Sequence, residues 1–215
     1  MAIVKSGSGL GVSGTVGGIT YTQQPDGRTS MSSKAQPSNI PPTSAQLQFR
    51  EETKLISSLM KIWKDFVKMG WELQSKSEKM NQNNAMVKYL RANAFTGEGA
   101  QRHFDLSKVL VTRGNMPVPA DVTLNISPYG FLFTWNTEIH SKKCHFTDQF
   151  VMMAYFPELE EVRYMTAGAQ RHLGKDMLVL SGVEKGHLAE VYVAFVADNR
   201  KSISDSVHIG QITWE

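Results

Sequence analysis

The pair Pro41-Pro42, followed by Thr43 and three residues later by Gln46, narrows the possible folds of this chain more than any other stretch. Adjacent prolines fix φ and withhold two amide donors, so the backbone up to Pro42 must be extended, close to polyproline II. Thr43 and Gln46 carry the capping-box spacing, in which each side chain satisfies an amide of the other as a helix begins. The chain therefore divides here. Residues before Pro41 read as an arm and a hairpin, and residues after Pro42 as helices and then strands.

Six glycines, Gly7, Gly9, Gly11, Gly14, Gly17 and Gly18, stand between residues 6 and 18. A phosphate loop needs a strand before its glycines and a helix after them, and neither is available here. Such glycines suit an arm that orders against a partner. Ile19-Thr20-Tyr21-Thr22-Gln23 alternates apolar and polar residues, Pro25-Asp26-Gly27 supplies a turn, and Arg28 to Ser32 can return as a second strand. A two-stranded hairpin is marginal in water, so this one needs a surface on its own chain or a neighbour's.

From Thr43 to about Gly70, Phe49, Ile56, Leu59, Trp63, Phe66 and Val67 recur at helical spacing and predict a core-facing stripe. A second helix is expected from about Lys79 to Asn93, giving an antiparallel helical hairpin. Gly97-Glu98-Gly99 breaks the pattern and marks a domain boundary. Strands are expected at 106–112, 122–127, 130–136, 149–156, 161–166, 177–181, 190–197 and 206–214, with Trp135 and Tyr192 as candidates for the central core. Short strands separated by turn residues argue a β-sandwich. The run Tyr192 to Asn199, then Ser202 to Ser206, resembles the end of a fibronectin-III or immunoglobulin-like domain. The expected class is α+β: arm and hairpin over 1–42, helical hairpin over 43–97, sandwich over 98–215.

At 41% apolar and 20% charged residues the chain is too apolar for disorder. No apolar run reaches the roughly 18 residues that span a bilayer, and Met1 to Lys5 lacks a signal-peptide core. Cys144 is the single cysteine, which excludes an intramolecular disulfide framework and fits synthesis in a reducing cytoplasm. Residues 1–42 carry three basic and one acidic side chain, 43–96 nine and five, and 97–215 eleven and fourteen. A basic front and an acidic back favour head-to-tail packing of identical subunits, or a basic face near nucleic acid.

The search for chemistry finds no catalytic constellation. His140, Cys144 and His145 carry zinc-compatible atoms, but no second cysteine completes a set. Cys144 and His145 are adjacent, and adjacent strand residues point to opposite faces. Gly11-Val12-Ser13-Gly14 is one residue short of a nucleophile elbow. Glu158, Glu160 and Glu161 read as an acidic turn, and Asp198, Asp205 and Glu160 lack a spaced calcium loop. Trp63, Trp71 and Tyr89 fall on or beside the apolar stripe, whereas a base-stacking platform must be exposed, so nucleic-acid binding is disfavoured. No cofactor is expected.

Almost the whole chain resembles a family of uncharacterised proteins from Bacteroidetes bacteria and their phages. The front carries Gly11-Val12-Ser13-Gly14-Thr15-Val16-Gly17, then Arg28, Lys34, Pro37-Ser38-Asn39, Thr43, Gln46 and Arg50. The back carries Thr134-Trp135, Thr147-Asp148 with Val151-Met152, Gly168-Ala169 with Arg171, and Ser204-Asp205-Ser206 with Gly210. The arm followed by a Thr-x-x-Gln-x-x-x-Arg helix start looks like one found in phage structural proteins, although here Ile40 stands between Asn39 and Pro41. The resemblance implies a non-enzymatic virion protein, made in the host cytoplasm, with copies of itself and other virion proteins as partners. Arg28, Lys34, Asn39, Thr43, Gln46 and Arg50 are the expected arm-docking residues. The alternative is a monomeric immunoglobulin-like module whose loops, Lys142 to His145 and Arg171 to Asp176, recognise a glycan or a protein receptor.

Overall fold

The computed structural model describes residues 2–4 (backbone only), 11–24, 27–34, 40–97 and 102–215. It divides into two compact units, Met1–Leu47 and Gln48–Glu215.

The first unit is a four-stranded antiparallel sheet of β1 (Ala2–Val4), β2 (Gly14–Val16), β3 (Ile19–Gln23) and β4 (Thr29–Ser33), ordered β1-β4-β3-β2. The expected hairpin is β3 and β4, paired from Ile19 with Ser33 to Gln23 with Thr29. The structure adds a strand on each side. β2 is drawn from the glycine-rich stretch, which turns back at Gly17 with φ of 59°, a conformation open to glycine at no steric cost. At the other turn Gln24 N–H donates to the Arg28 carbonyl at 2.7 Å and Gly27 N–H to the Gln24 carbonyl at 3.0 Å. Pro25 and Asp26 lie outside the described residues.

Helix α1 (Ser44–Ile62) is followed by α2 (Lys64–Gly70), α3 (Glu72–Ser77) and α4 (Gln82–Asn93). The helix expected from Thr43 to Gly70 thus bends at Trp63, and α3 continues it past Trp71, a segment the pattern did not announce. Both tryptophans leave helical geometry, at φ/ψ of −90°/6° and −112°/5°. The hydrogen-bond ladder still crosses each bend, through Val67 to Trp63 and Ser75 to Trp71. The bends keep both indoles buried. α4 begins at Asn81, whose side chain accepts from Asn83 N–H, and returns beside α2 and α3.

After a short β5 (Phe95–Thr96) and β6 (His103–Phe104) pair come the seven strands of the sandwich. These are β7 (Thr123–Ser127), β8 (Gly130–Thr134), β9 (Gln149–Phe156), β10 (Glu161–Met165), β11 (Lys175–Val179), β12 (Leu188–Val196) and β13 (Val207–Thr213). One sheet runs β10-β9-β12-β13 and the other β11-β8-β7, all antiparallel. Three strands over four, with β9 pairing β12 rather than only its sequence neighbour, is the arrangement of an immunoglobulin/fibronectin-III-like sandwich. The α+β class holds.

The central strands are buried on both faces, which explains why β9 and β12 are nearly continuous apolar runs. Phe150, Met152, Ala154 and Phe156 of β9, with Val191, Val193 and Phe195 of β12, meet Phe131, Phe133 and Leu178 between the sheets. The alternate residues, Val151, Met153 and Tyr155 with Tyr192, Ala194 and Val196, pack against Ile56, Leu59, Trp63, Phe66 and Leu90. An antiparallel sheet with one wet face would alternate apolar with polar residues. Here both sets must be apolar. Trp135 lies between the sheets as expected, but Tyr192 faces the helices, because register places it opposite to Val191 and Val193.

The segment expected as a strand at 106–112 is instead a 3-10 turn (Leu106–Lys108) followed by extended chain. Side chains rather than a ladder fasten it. Ser206 Oγ accepts from Val111 N–H at 2.9 Å, and Thr112 Oγ1 donates to the Ser204 carbonyl at 2.9 Å.

Candidate functional site

Of the expected arm residues, Arg28 is exposed in the β3–β4 connection and Lys34 is exposed just after β4, its N–H donating to the Gly18 carbonyl at 2.7 Å. Asn39 lies outside the described residues. Thr43 N–H donates to Gln46 Oε1 at 3.1 Å and Gln46 N–H donates to Thr43 Oγ1 at 3.3 Å, so the capping box forms. Arg50 is exposed on α1.

The scattered motifs of the back half converge on two knots. In the first, Arg171 and Asp148 form an ion pair with Nε to Oδ2 at 3.3 Å, their side chains 4% and 1% exposed. Arg171 N–H also donates to the Asp148 carbonyl at 2.6 Å, and Trp135 Nε1 donates to the Arg171 carbonyl at 2.8 Å. The guanidinium lies 3.6 Å above the Phe195 ring, and His145 N–H donates to Asp148 Oδ2 at 2.8 Å. Two buried charges need such partners to offset desolvation. In the second knot, Ser204 Oγ accepts from Phe195 N–H at 2.9 Å and Asp205 Oδ1 from Gly114 N–H at 2.9 Å. The Asp205 and Ser206 side chains clasp the chain entering the sandwich, and the Ser204 side chain holds β12.

The first knot holds the two candidate recognition loops against each other. His172 N–H donates to the Phe146 carbonyl at 3.3 Å, its Nδ1 stands 3.0 Å from the same oxygen, and the two rings meet at 6.2 Å. Phe146 and Leu173 project outward, 61% and 55% exposed. Lys142 and Lys143 stand exposed on the first of these loops, and Lys175 stands exposed at the start of β11.

The other candidates separate. His140 pairs with Glu138 at 3.0 Å, while Cys144 is a buried thiol whose pKa burial pushes up. Among the described residues no three His, Cys, Asp or Glu side chains gather as a metal-holding group. Glu158 pairs with His187 Nδ1 at 2.5 Å. Glu160 follows the far end of β9, away from Asp198 and Asp205.

Sequence reasoning missed one polar cluster. Glu190 sits in the apolar run of β12, with Oε2 at 2.6 Å from His208 Nε2 and Oε1 accepting from Gln211 at 3.1 Å. The signal was there, because a carboxylate on a buried strand requires a partner. Gln211, Glu190 and His208 border a cleft of about 390 Å3 with His103, Asp105 and Ser107. The ring of Tyr192 lies 5.1 Å from that of His208, and its hydroxyl donates to the Leu106 carbonyl at 2.7 Å. Both carboxylate oxygens are committed to strand β13, and Ser206 Oγ nearby is committed to amides of the entering segment. The cluster fastens β13 to β12.

No curated protein matches the chain. A family model does match residues 9–210, which is nearly its full length. The chain belongs to the family of unknown function DUF6266.

Proposed function

We propose that this is a non-enzymatic structural protein that assembles through its N-terminal unit, with the sandwich facing outward or toward a neighbouring subunit. One observation carries the reading. Both hydrophobic cores lie wholly within the second unit, and the first unit is a sheet with no core cluster of its own among the described residues. Val16 is 65% exposed and Ile19 is 38% exposed on β2 and β3. A small sheet that leaves apolar side chains such as Val16 and Ile19 exposed gains stability from a covering surface. A subunit that carries such a sheet is built to join another. The setting we infer is a phage or prophage particle containing this chain and other virion proteins. Its support is the sequence resemblance carried by Arg28, Lys34, Asn39, Thr43, Gln46 and Arg50. Deleting residues 1–42 tests the reading: assembly should be lost while the second unit stays folded, and an unchanged oligomer would overturn it.

A second reading, a binding module for a glycan or protein receptor, is favoured by the joined loops that project Phe146 and Leu173. Loops on a rigid scaffold are where recognition concentrates. Substituting these residues would then remove ligand binding without changing the solution mass.

A further inference from the structure

We propose that the sandwich docks end to end on the sandwich of a second copy of this chain. The pole carrying Phe146 and Leu173 would meet the pole carrying Glu160 and Glu184. This inference rests on the assembly reading and adds to it a second contact, distinct from the N-terminal one.

The topology sorts the loops into two poles. β9 starts at Gln149 and ends at Phe156, and β12 runs antiparallel beside it, pairing Glu190 with Tyr155 and Val196 with Gln149. The loops around 137–148, 166–174 and 197–202 therefore gather at one end, and those around 157–160 and 180–187, with the C-terminal Glu215, at the other. At the first pole Lys142, Lys143, Lys175, Arg200 and Lys201 are exposed, against exposed Asp121, Glu138 and Asp198. At the second pole Glu158, Glu160, Glu161, Glu184 and Glu215 are exposed, against Lys185 alone among the described residues. The sandwich thus has a basic and an acidic end. Complementary fields of this kind steer association and set its orientation.

Each pole also presents an apolar anchor. Phe146 and Leu173 stand out at the basic end, and Tyr129, 71% exposed between β7 and β8, at the acidic end. The basic end is preformed, since the buried Asp148–Arg171 pair and the His172 contacts to Phe146 hold both loops. Docking there costs little ordering entropy. Phe146 and Tyr129 are aromatic anchors of the kind enriched at interface centres, and the charges around them suit an interface rim. Because the two poles differ, the contact is heterologous, and repetition produces a string unless the N-terminal contact closes it into a ring.

The test uses the full chain in sedimentation velocity over a concentration series at low and high salt. The two variants are Lys142→Glu/Lys143→Glu and Glu160→Lys/Glu184→Lys. All four positions are exposed, and unchanged near-ultraviolet circular dichroism would establish folding. The wild type should associate in a salt-sensitive way, and each variant should weaken that association by about tenfold or more. An equimolar mixture should regain it, since each contact between the two variants is again complementary. Variants that associate like the wild type, or a mixture that stays as weak as its parts, would overturn the proposal. A third variant, Val16→Lys/Ile19→Lys, separates the two contacts. If it abolishes all association while the pole variants abolish none, the end contact falls and the N-terminal reading stands. If it leaves the salt-sensitive association intact, the end contact stands by itself. Binding of dextran sulfate by a chain that self-associates at no salt concentration would also overturn the proposal, in favour of the receptor-loop reading.

Discussion

Arg171 and Asp148, 23 residues apart in sequence, form a buried ion pair that ties together the two loops at one end of the sandwich. Neither charge has bulk water to fall back on. Removing one partner leaves the other uncompensated, whereas removing both leaves only the His145 amide without its acceptor.

Arg171→Met should therefore cost about 3–5 kcal/mol of unfolding free energy. The double variant Arg171→Met/Asp148→Leu should recover much of that loss. Urea denaturation of the wild type, Arg171→Met and the double variant checks it, and a double variant less stable than Arg171→Met would refute the coupling.

Gly70 closes α2 against the entering segment, where Arg113 N–H donates to its carbonyl at 3.0 Å. A Cβ there would press on the Val111 carbonyl oxygen and stand 2.9 Å from Thr112 Cγ2. In an open helix Gly→Ala stabilises by about 1 kcal/mol. Here Gly70→Ala should instead destabilise by about 1–3 kcal/mol, as overpacking does. Thermal denaturation gives the sign directly.

Thr43→Ala removes the acceptor for the Gln46 amide and should cost about 1 kcal/mol of local stability. The loss should show as faster hydrogen exchange at the Gln46 and Leu47 amides, with amides of β9 and β12 unaffected.

The side-chain hydrogen bond from Ser107 to Asp105 holds the Asp105 carboxyl below the usual carboxylate range, helped by the Ser107 amide and Lys108. A depressed folded-state pKa means stability that is present above the unfolded pKa and lost as pH falls through the folded one. Ser107→Ala should move the Asp105 titration upward in NMR and shrink that acid-side loss. An unmoved titration would remove Ser107 as the cause.

The legible parts of this fold are those governed by local pattern. β9 occupies the residues its apolar, aromatic-bounded run predicts, and the capping box forms at Thr43 and Gln46. Tyr192 is a core residue, but of the helix-facing core, because period 2 tells which residues share a face and not which layer that face meets. The 106–112 segment reads as a strand because it is rich in Val, Leu and Thr. Its hydrogen bonds go to Ser204 and Ser206, more than 90 residues away, and no local pattern encodes that. Asp148, Arg171 and Trp135 are each visible as motif residues. Their meeting depends on how β8, β9 and the Arg171 turn are brought together, which only the folded chain reveals. Glu190 is legible as an anomaly, a lone carboxylate on an apolar strand, yet its partners His208 and Gln211 sit on a different strand.

The central claim is assembly through the N-terminal sheet, and the most direct measurement is solution mass by light scattering. The full chain and its Val16→Lys/Ile19→Lys variant would be compared over a concentration series. Both substitutions are at exposed positions, so the second unit should melt unchanged. The account predicts a discrete oligomer or larger assembly for the wild type and a lower mass for the variant. A monomeric wild type at all concentrations, or a variant with the wild-type mass, would contradict it.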